Sequence, residues 1–125
     1  MKIFFAHATD HSFKYDAYKA IRTSSINQKH AFTLPQEQGF QPPMPRDIII
    51  AHDILVAECS FPSTGQGIEL GWMHSLKKPV LCLYREDAKP SGSLRNVAHE
   101  IGVYKDFDDM IEKIETFIKK YESQN

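Results

Sequence analysis

Residues Asp53 to Cys59 read DILVAEC, and the next eight, Ser60 to Gly67, read SFPSTGQG. The first stretch is apolar at nearly every position, the pattern of a central parallel strand buried on both faces. The second is rich in turn residues, and the spacing then predicts a helix over Ile68–Lys77. Pro79 to Tyr84, PVLCLY, is a further buried strand. Upstream, a short helix is expected from Arg46. Residues 36–45, QEQGFQPPMP, hold three prolines and a glycine, which suits either a loop closing over a site or a plain connector. Ala31–Leu34 is a weaker strand. Phe13–Gln28 is expected as one amphipathic helix through Phe13, Ala17, Ala20, Ile21 and Ser24, and Lys2–His7 opens the chain as a strand. Downstream come a polar loop over Glu86–Ser93, a short helix over Leu94–His99, an edge strand over Ile101–Tyr104 and a docked helix over Asp106–Tyr121.

Strands and helices that alternate in this way imply a doubly wound α/β sheet of the Rossmann or flavodoxin-like kind. It should be mostly parallel, of about five strands, in one domain over residues 1–125. In such sheets a ligand lies at the carboxyl ends of the strands, near a switch in strand order. The loops after Phe5, Glu58 and Tyr84 are therefore the places to look.

Composition narrows the classes of function. With 125 residues, 15 Lys plus Arg and 16 Asp plus Glu, the formal charge is −1, so no basic excess exists to displace counterions from a nucleic acid. Apolar residues at 42% and charged residues at 25% argue against wholesale disorder. The run Ile3–Ala6 stops at His7, short of the ~7–15 apolar residues of an export signal. No run approaches the ~20 needed to span a bilayer. Cys59 and Cys82 sit in strand-like stretches without CxxC spacing and are expected as buried, reduced thiols, in keeping with a cytoplasmic protein. The six histidines are joined by no Asp/Glu cluster, so no metal and no cofactor are expected.

The loop after the central strand carries the chemical signal. Ser63, Thr64, Gly65, Gln66 and Gly67 combine hydroxyls and small side chains with two glycines at a helix start, where free N–H groups and the helix dipole favour an anion. The Gly-Lys-Ser/Thr of a phosphate-binding P-loop is missing, so a tight structural turn explains the loop as well. Glu69 is placed on the first turn of the following helix. There it serves the dipole as a cap residue, or acts as the carboxylate that covalent glycosyl transfer needs at an anomeric carbon. His7, at a strand end, reaches phosphate or base, or is a surface histidine.

Residues 53–84 resemble the nucleoside 2-deoxyribosyltransferase superfamily, nearest to its branch of 2'-deoxynucleoside 5'-monophosphate N-hydrolases. The likeness is an acid-led strand, Ala-Glu, Pro-Ser, Gly-x-Gly-x-Glu and a helix leading to a Lys-Pro strand. It implies cleavage of the N-glycosidic bond with Glu69 as nucleophile and water or another base as acceptor. Ser63, Gly65 and Gly67 would hold the 5'-phosphate, and the hydroxyl of Thr64 is expected to add a donor there. It further implies that Ser93 serves a neighbouring subunit's site in a homodimer and that Asp47 assists departure of the base. Where that branch has Gly-Ser and an arginine after the first strand, this chain has Ala6-His7-Ala8-Thr9-Asp10. Protonated His7, or Arg46, is expected to supply part of the missing charge. The implied partner is a small deoxynucleoside or deoxynucleotide, with no nucleic acid and no membrane. The alternative is a nucleotide-binding sensor on the same fold without turnover.

Overall fold

A computed structural model describes residues 1–37 and 44–123. Five strands form one all-parallel sheet: β1 (Lys2–Ala6), β2 (Ala31–Thr33), β3 (Ile54–Glu58), β4 (Val80–Arg85) and β5 (Glu100–Tyr104). Their spatial order is β2-β1-β3-β4-β5. The chain steps outward from β1 to β2 and then returns to the other side of β1, so the switch in order falls between β1 and β3. Asp53 fixes the start of this pair, its carboxylate accepting the N–H of Lys2 at 2.8 Å. Every residue of β3 is buried, as its unbroken apolar run requires. β5 is the edge strand expected from its sequence.

Helices α1 (Lys14–Arg22) and α5 (Phe107–Glu122) cover one face, around Ile3, Phe5, Val56, Leu83, Ile114 and Phe117. Helices α3 (Arg46–Ile50) and α4 (Thr64–Ser75) cover the other, around Phe4, Leu55, Ala57, Ile49, Leu70 and Met73. A 3-10 helix, Gly92–Asn96, takes the place of the helix expected over Leu94–His99; Ser91 draws its start forward by accepting the N–H of Ser93.

Two elements depart from expectation for local reasons. The helix expected over Phe13–Gln28 is broken into α1 and the short α2 (Ile26–Lys29). Thr23 Oγ1 donates to the carbonyl of Lys19 and Ser24 Oγ to that of Ile21, and such side-chain competition for carbonyls favours a helix end. Helix α4 begins at Thr64 rather than Ile68, because Ser63 caps it by accepting the N–H of Gln66 at 3.4 Å. Gly65 and Gly67 therefore lie inside the first turn. At its other end α4 closes with Lys77 at φ 58°. The N–H of Lys77 bonds the carbonyl of His74 and that of Lys78 bonds Met73, the pattern of a Schellman motif. Of the loop expected over residues 36–45, positions 38–43 lie outside the described residues.

Candidate active site

At the carboxyl ends of β1 and β3, where the strand order switches, lies a cavity of about 300 Å³. Ala6, His7 and Thr9 form its floor; Ser63, Gly65, Gln66, Ile68, Glu69 and Trp72 of the capped helix α4 form one wall. Pro35, Gln36 and Met44 close it from the other side. No lysine or arginine is among these lining residues.

Glu69 is half-buried in the second turn of α4, not the first, because the helix starts earlier than its sequence suggests. The dipole acts chiefly within the first turn, so capping explains this residue poorly. Among the described residues its carboxylate has no hydrogen-bond partner. Burial pushes its pKa up to about 7. It is thus a carboxylate held in a mostly apolar cavity without the donors that would quiet it.

Glu58 is the opposite case. It is 1% exposed, yet its oxygens accept bonds from the N–H of Ser60 at 2.7 Å, Ser60 Oγ at 2.8 Å, His11 Nε2 at 3.0 Å and the hydroxyl of Tyr104. Burial would raise its pKa, but these four donors overcome that and hold it below the usual carboxylate value. Ser60 Oγ also accepts the N–H of Arg85, which ties the loop to β4. Glu58 therefore anchors the loop that delivers α4.

His7 forms part of the floor, but its nitrogens are occupied. Nδ1–H donates to the carbonyl of Ala8 at 2.7 Å, which leaves Nε2 to accept the hydroxyl of Tyr18; the N–H of Gln36 in turn donates to Tyr18. Burial pushes the His7 pKa down to about 4. This corrects the expectation of a protonated His7 at the phosphate: near neutral pH the ring is uncharged. His7 and His11 are four residues apart with ring centroids 5.8 Å apart, yet these bonds leave no pair of ring nitrogens free for a metal.

The remaining expected residues divide between two places. Ser63 lines both the large cavity and a smaller one of about 130 Å³, and Gly65 lines the large one. Gly67 and Ser93 line the smaller, together with Ser91. Thr64 is exposed and lines neither. The N–H groups of Gln66 and Gly67 already bond Ser63. Only those of Thr64 and Gly65 remain free among the described residues, fewer donors than the loop's sequence implies. Asp47 is exposed on the first turn of α3 and off the described wall, although Met44, just before that helix, is on it. Arg46 is exposed and makes no ion pair among the described residues.

Sequence reasoning missed Thr9, Pro35, Gln36, Met44, Gln66, Ile68 and Trp72 as parts of this wall. Gln66 alone carried a local signal: it stands three residues before Glu69, and positions three apart share a helix face. Pro35 and Gln36 reach the cavity only because β2 pairs with β1.

No protein-family model matches the chain. It is 34% identical over 92 residues to a Trichoplax adhaerens protein with the provisional name 2'-deoxynucleoside 5'-phosphate N-hydrolase 1; the match covers 66% of this chain and 64% of that one. It is also 34% identical over 70 residues to mouse 5-hydroxymethyl-dUMP N-hydrolase, covering 55% and 40%. The chain thus spans less than two thirds of the length of these curated relatives. Among solved structures, the CMP N-glycosidase BcmB of Clostridium botulinum superposes with a TM-score of 0.67 at 18% identity, over 92% of this chain and 99% of that one. A 2-deoxyribosyltransferase from Bacillus psychrosaccharolyticus does so at 0.59 and 19%, over 88% and 90%. At such identities the likeness establishes the fold. No helix among the described residues is long and apolar enough to cross a membrane.

Proposed function

From its likeness to these N-hydrolases, we propose that this chain belongs to the nucleoside 2-deoxyribosyltransferase superfamily and is an N-glycosidase that cleaves 2'-deoxynucleoside 5'-monophosphates through Glu69. The observation that carries this reading is the carboxylate itself: half-buried, without a donor and with its pKa near 7, on the wall of the switch-point cavity. A carboxylate poorly solvated by water or protein is a competent nucleophile toward C1', where positive charge develops. The glycosyl-enzyme is then released to water or to another base. Trp72, Ile68, Met44 and Pro35 supply the apolar surface against which a base and sugar pack. Departure of the base takes a proton, and exposed Asp47 on the first turn of α3 is assigned that part.

The 5'-phosphate is assigned to Ser63 and the N–H groups of Thr64 and Gly65 at the start of α4, where hydroxyl and amide donors and the dipole act together. A second copy of the chain is assigned to exposed Ile68 of α4 and Leu76 just beyond its end, with Ser93 contributing to the partner's site. Both cysteines are free and buried, in keeping with a cytoplasmic place of work. The absence of a cation from the described cavity wall favours a second reading, a nucleotide sensor without turnover.

Incubation with a panel of deoxynucleoside 5'-monophosphates, 5-hydroxymethyl-dUMP included, with chromatographic detection of free base, separates the two. Release of base that disappears in Glu69→Ala supports the enzyme. Calorimetric binding with no base released supports the sensor.

A further inference from the structure

Gln66 is 4% exposed, and both hydrogens of its side-chain amide are committed. Nε2 donates to the carbonyl of Glu58 at 2.7 Å and to that of Ala6 at 3.3 Å, the last residues of β3 and β1. Two carbonyl partners identify which end of the amide is nitrogen, since an oxygen there would face two acceptors. The amide therefore spans the switch point, and its rotation is locked. Its Oε1 has no partner among the described residues, and Gln66 lines both the switch-point cavity beside Glu69 and the smaller cavity next to it. A locked acceptor in a mostly apolar wall is matched only by a donor that arrives with the ligand, and leaving it unmatched is costly.

We propose that Gln66 is a specificity-determining residue whose Oε1 accepts the 3'-hydroxyl of the substrate's deoxyribose. The inference rests on the N-glycosidase reading of this cavity and adds the recognised group. Gln66 and Glu69 are three residues apart on one helix face, with β-carbons ~5–6 Å apart, about the width of a sugar ring. A nucleophile displaces the base from the opposite face of that ring, so everything beside Glu69 meets the face turned away from the base. On that face a 2'-deoxynucleoside 5'-monophosphate offers one O–H donor, the 3'-hydroxyl: the 2'-carbon bears none, and the 5'-oxygen is esterified on the other side. That donor is the single one on this face, and Gln66 offers it a neutral acceptor beside the carboxylate of Glu69.

The experiment compares kcat/KM for a cleaved deoxynucleoside 5'-monophosphate with that for its 2',3'-dideoxy counterpart, in wild type and Gln66→Met. The ratio of ratios cancels the intrinsic lability of the two glycosidic bonds. The preference for the 3'-hydroxyl substrate should be about 10- to 100-fold larger in wild type than in Gln66→Met, the cost of leaving one buried acceptor without its donor. Equal loss of rate on both substrates in Gln66→Met shows a clasp between strands and overturns the inference. If Gln66→Met does not fold, a 3'-fluoro substrate tests wild type directly, because fluorine cannot donate. A similar loss supports the assignment, and equal rates with the 3'-hydroxyl substrate overturn it. A wild type that releases base from no nucleotide takes down the functional reading and this one with it, a result distinct from base release without 3' discrimination.

Discussion

Glu58 at the end of β3 and Glu69 in the second turn of α4 are neighbouring carboxylates in opposite surroundings. Glu58 is the more deeply buried, yet four donors hold it ionised. Glu69 is less buried, yet burial alone governs it and its pKa climbs to about 7. Depth of burial is thus a poor guide to the charge state of either acid. A carboxylate surrounded by protein donors has its charge already stabilised and little to gain from a substrate. One with none keeps its reactivity for a developing positive charge.

The comparison breaks most easily at its reactive end. Glu69→Ala should abolish base release by several orders of magnitude while circular dichroism stays native, because a nucleophile acts with its neighbours as a unit. Activity within about tenfold of wild type, ~1.4 kcal/mol, would end the covalent mechanism. Asp47 adds a third, exposed acid: Asp47→Asn should slow turnover by roughly 10²–10⁴-fold, and less for bases that leave readily. A uniform loss across substrates would assign it to positioning.

At the quiet end, Glu58→Gln exchanges one acceptor oxygen for an amide facing donors. It should cost about 2–4 kcal/mol in chemical denaturation, with activity lost through the displaced loop. Protonation sharpens the contrast further. Attack needs ionised Glu69, so kcat/KM should rise about tenfold per pH unit below 7 and level off above it. Stability should respond with the opposite sign. Between pH 4.5 and 7 the unfolded chain ionises Glu69 before the folded protein does, so the folded state holds the extra proton and stability declines as pH rises through that window. Glu69→Gln should remove the decline and raise Tm at pH 8, whereas a matching gain in Glu58→Gln would erase the distinction. The smallest effect is at the far end of α4. Lys77→Gly relieves a left-handed lysine and should stabilise by about 0.5–1 kcal/mol with base release unchanged, which isolates helix stability from the site.

Much of this molecule is legible in its residues alone. The apolar runs of β3 and β4, the 3–4 spacing of Phe107, Met110, Ile114 and Phe117, and Asp53 ahead of its strand specify parallel strands with docked helices, since burial on one or two faces leaves a periodic trace. The approach of the SFPSTGQG loop to a strand end is likewise local, and so is Glu69 beyond it. What no window of sequence contains is the fate of each titratable group. Glu58 is quieted by His11, 47 residues away, and Tyr104, 46 away. His7 is neutral because Tyr18 and burial make it so. Gln66 becomes a locked acceptor only when β1 and β3 bring the carbonyls of Ala6 and Glu58 within reach of one amide. Periodicity reports which faces are dry, a property each segment carries with it. Charge state and reactivity depend on which donors arrive from other strands, and that is decided only when the sheet closes around them.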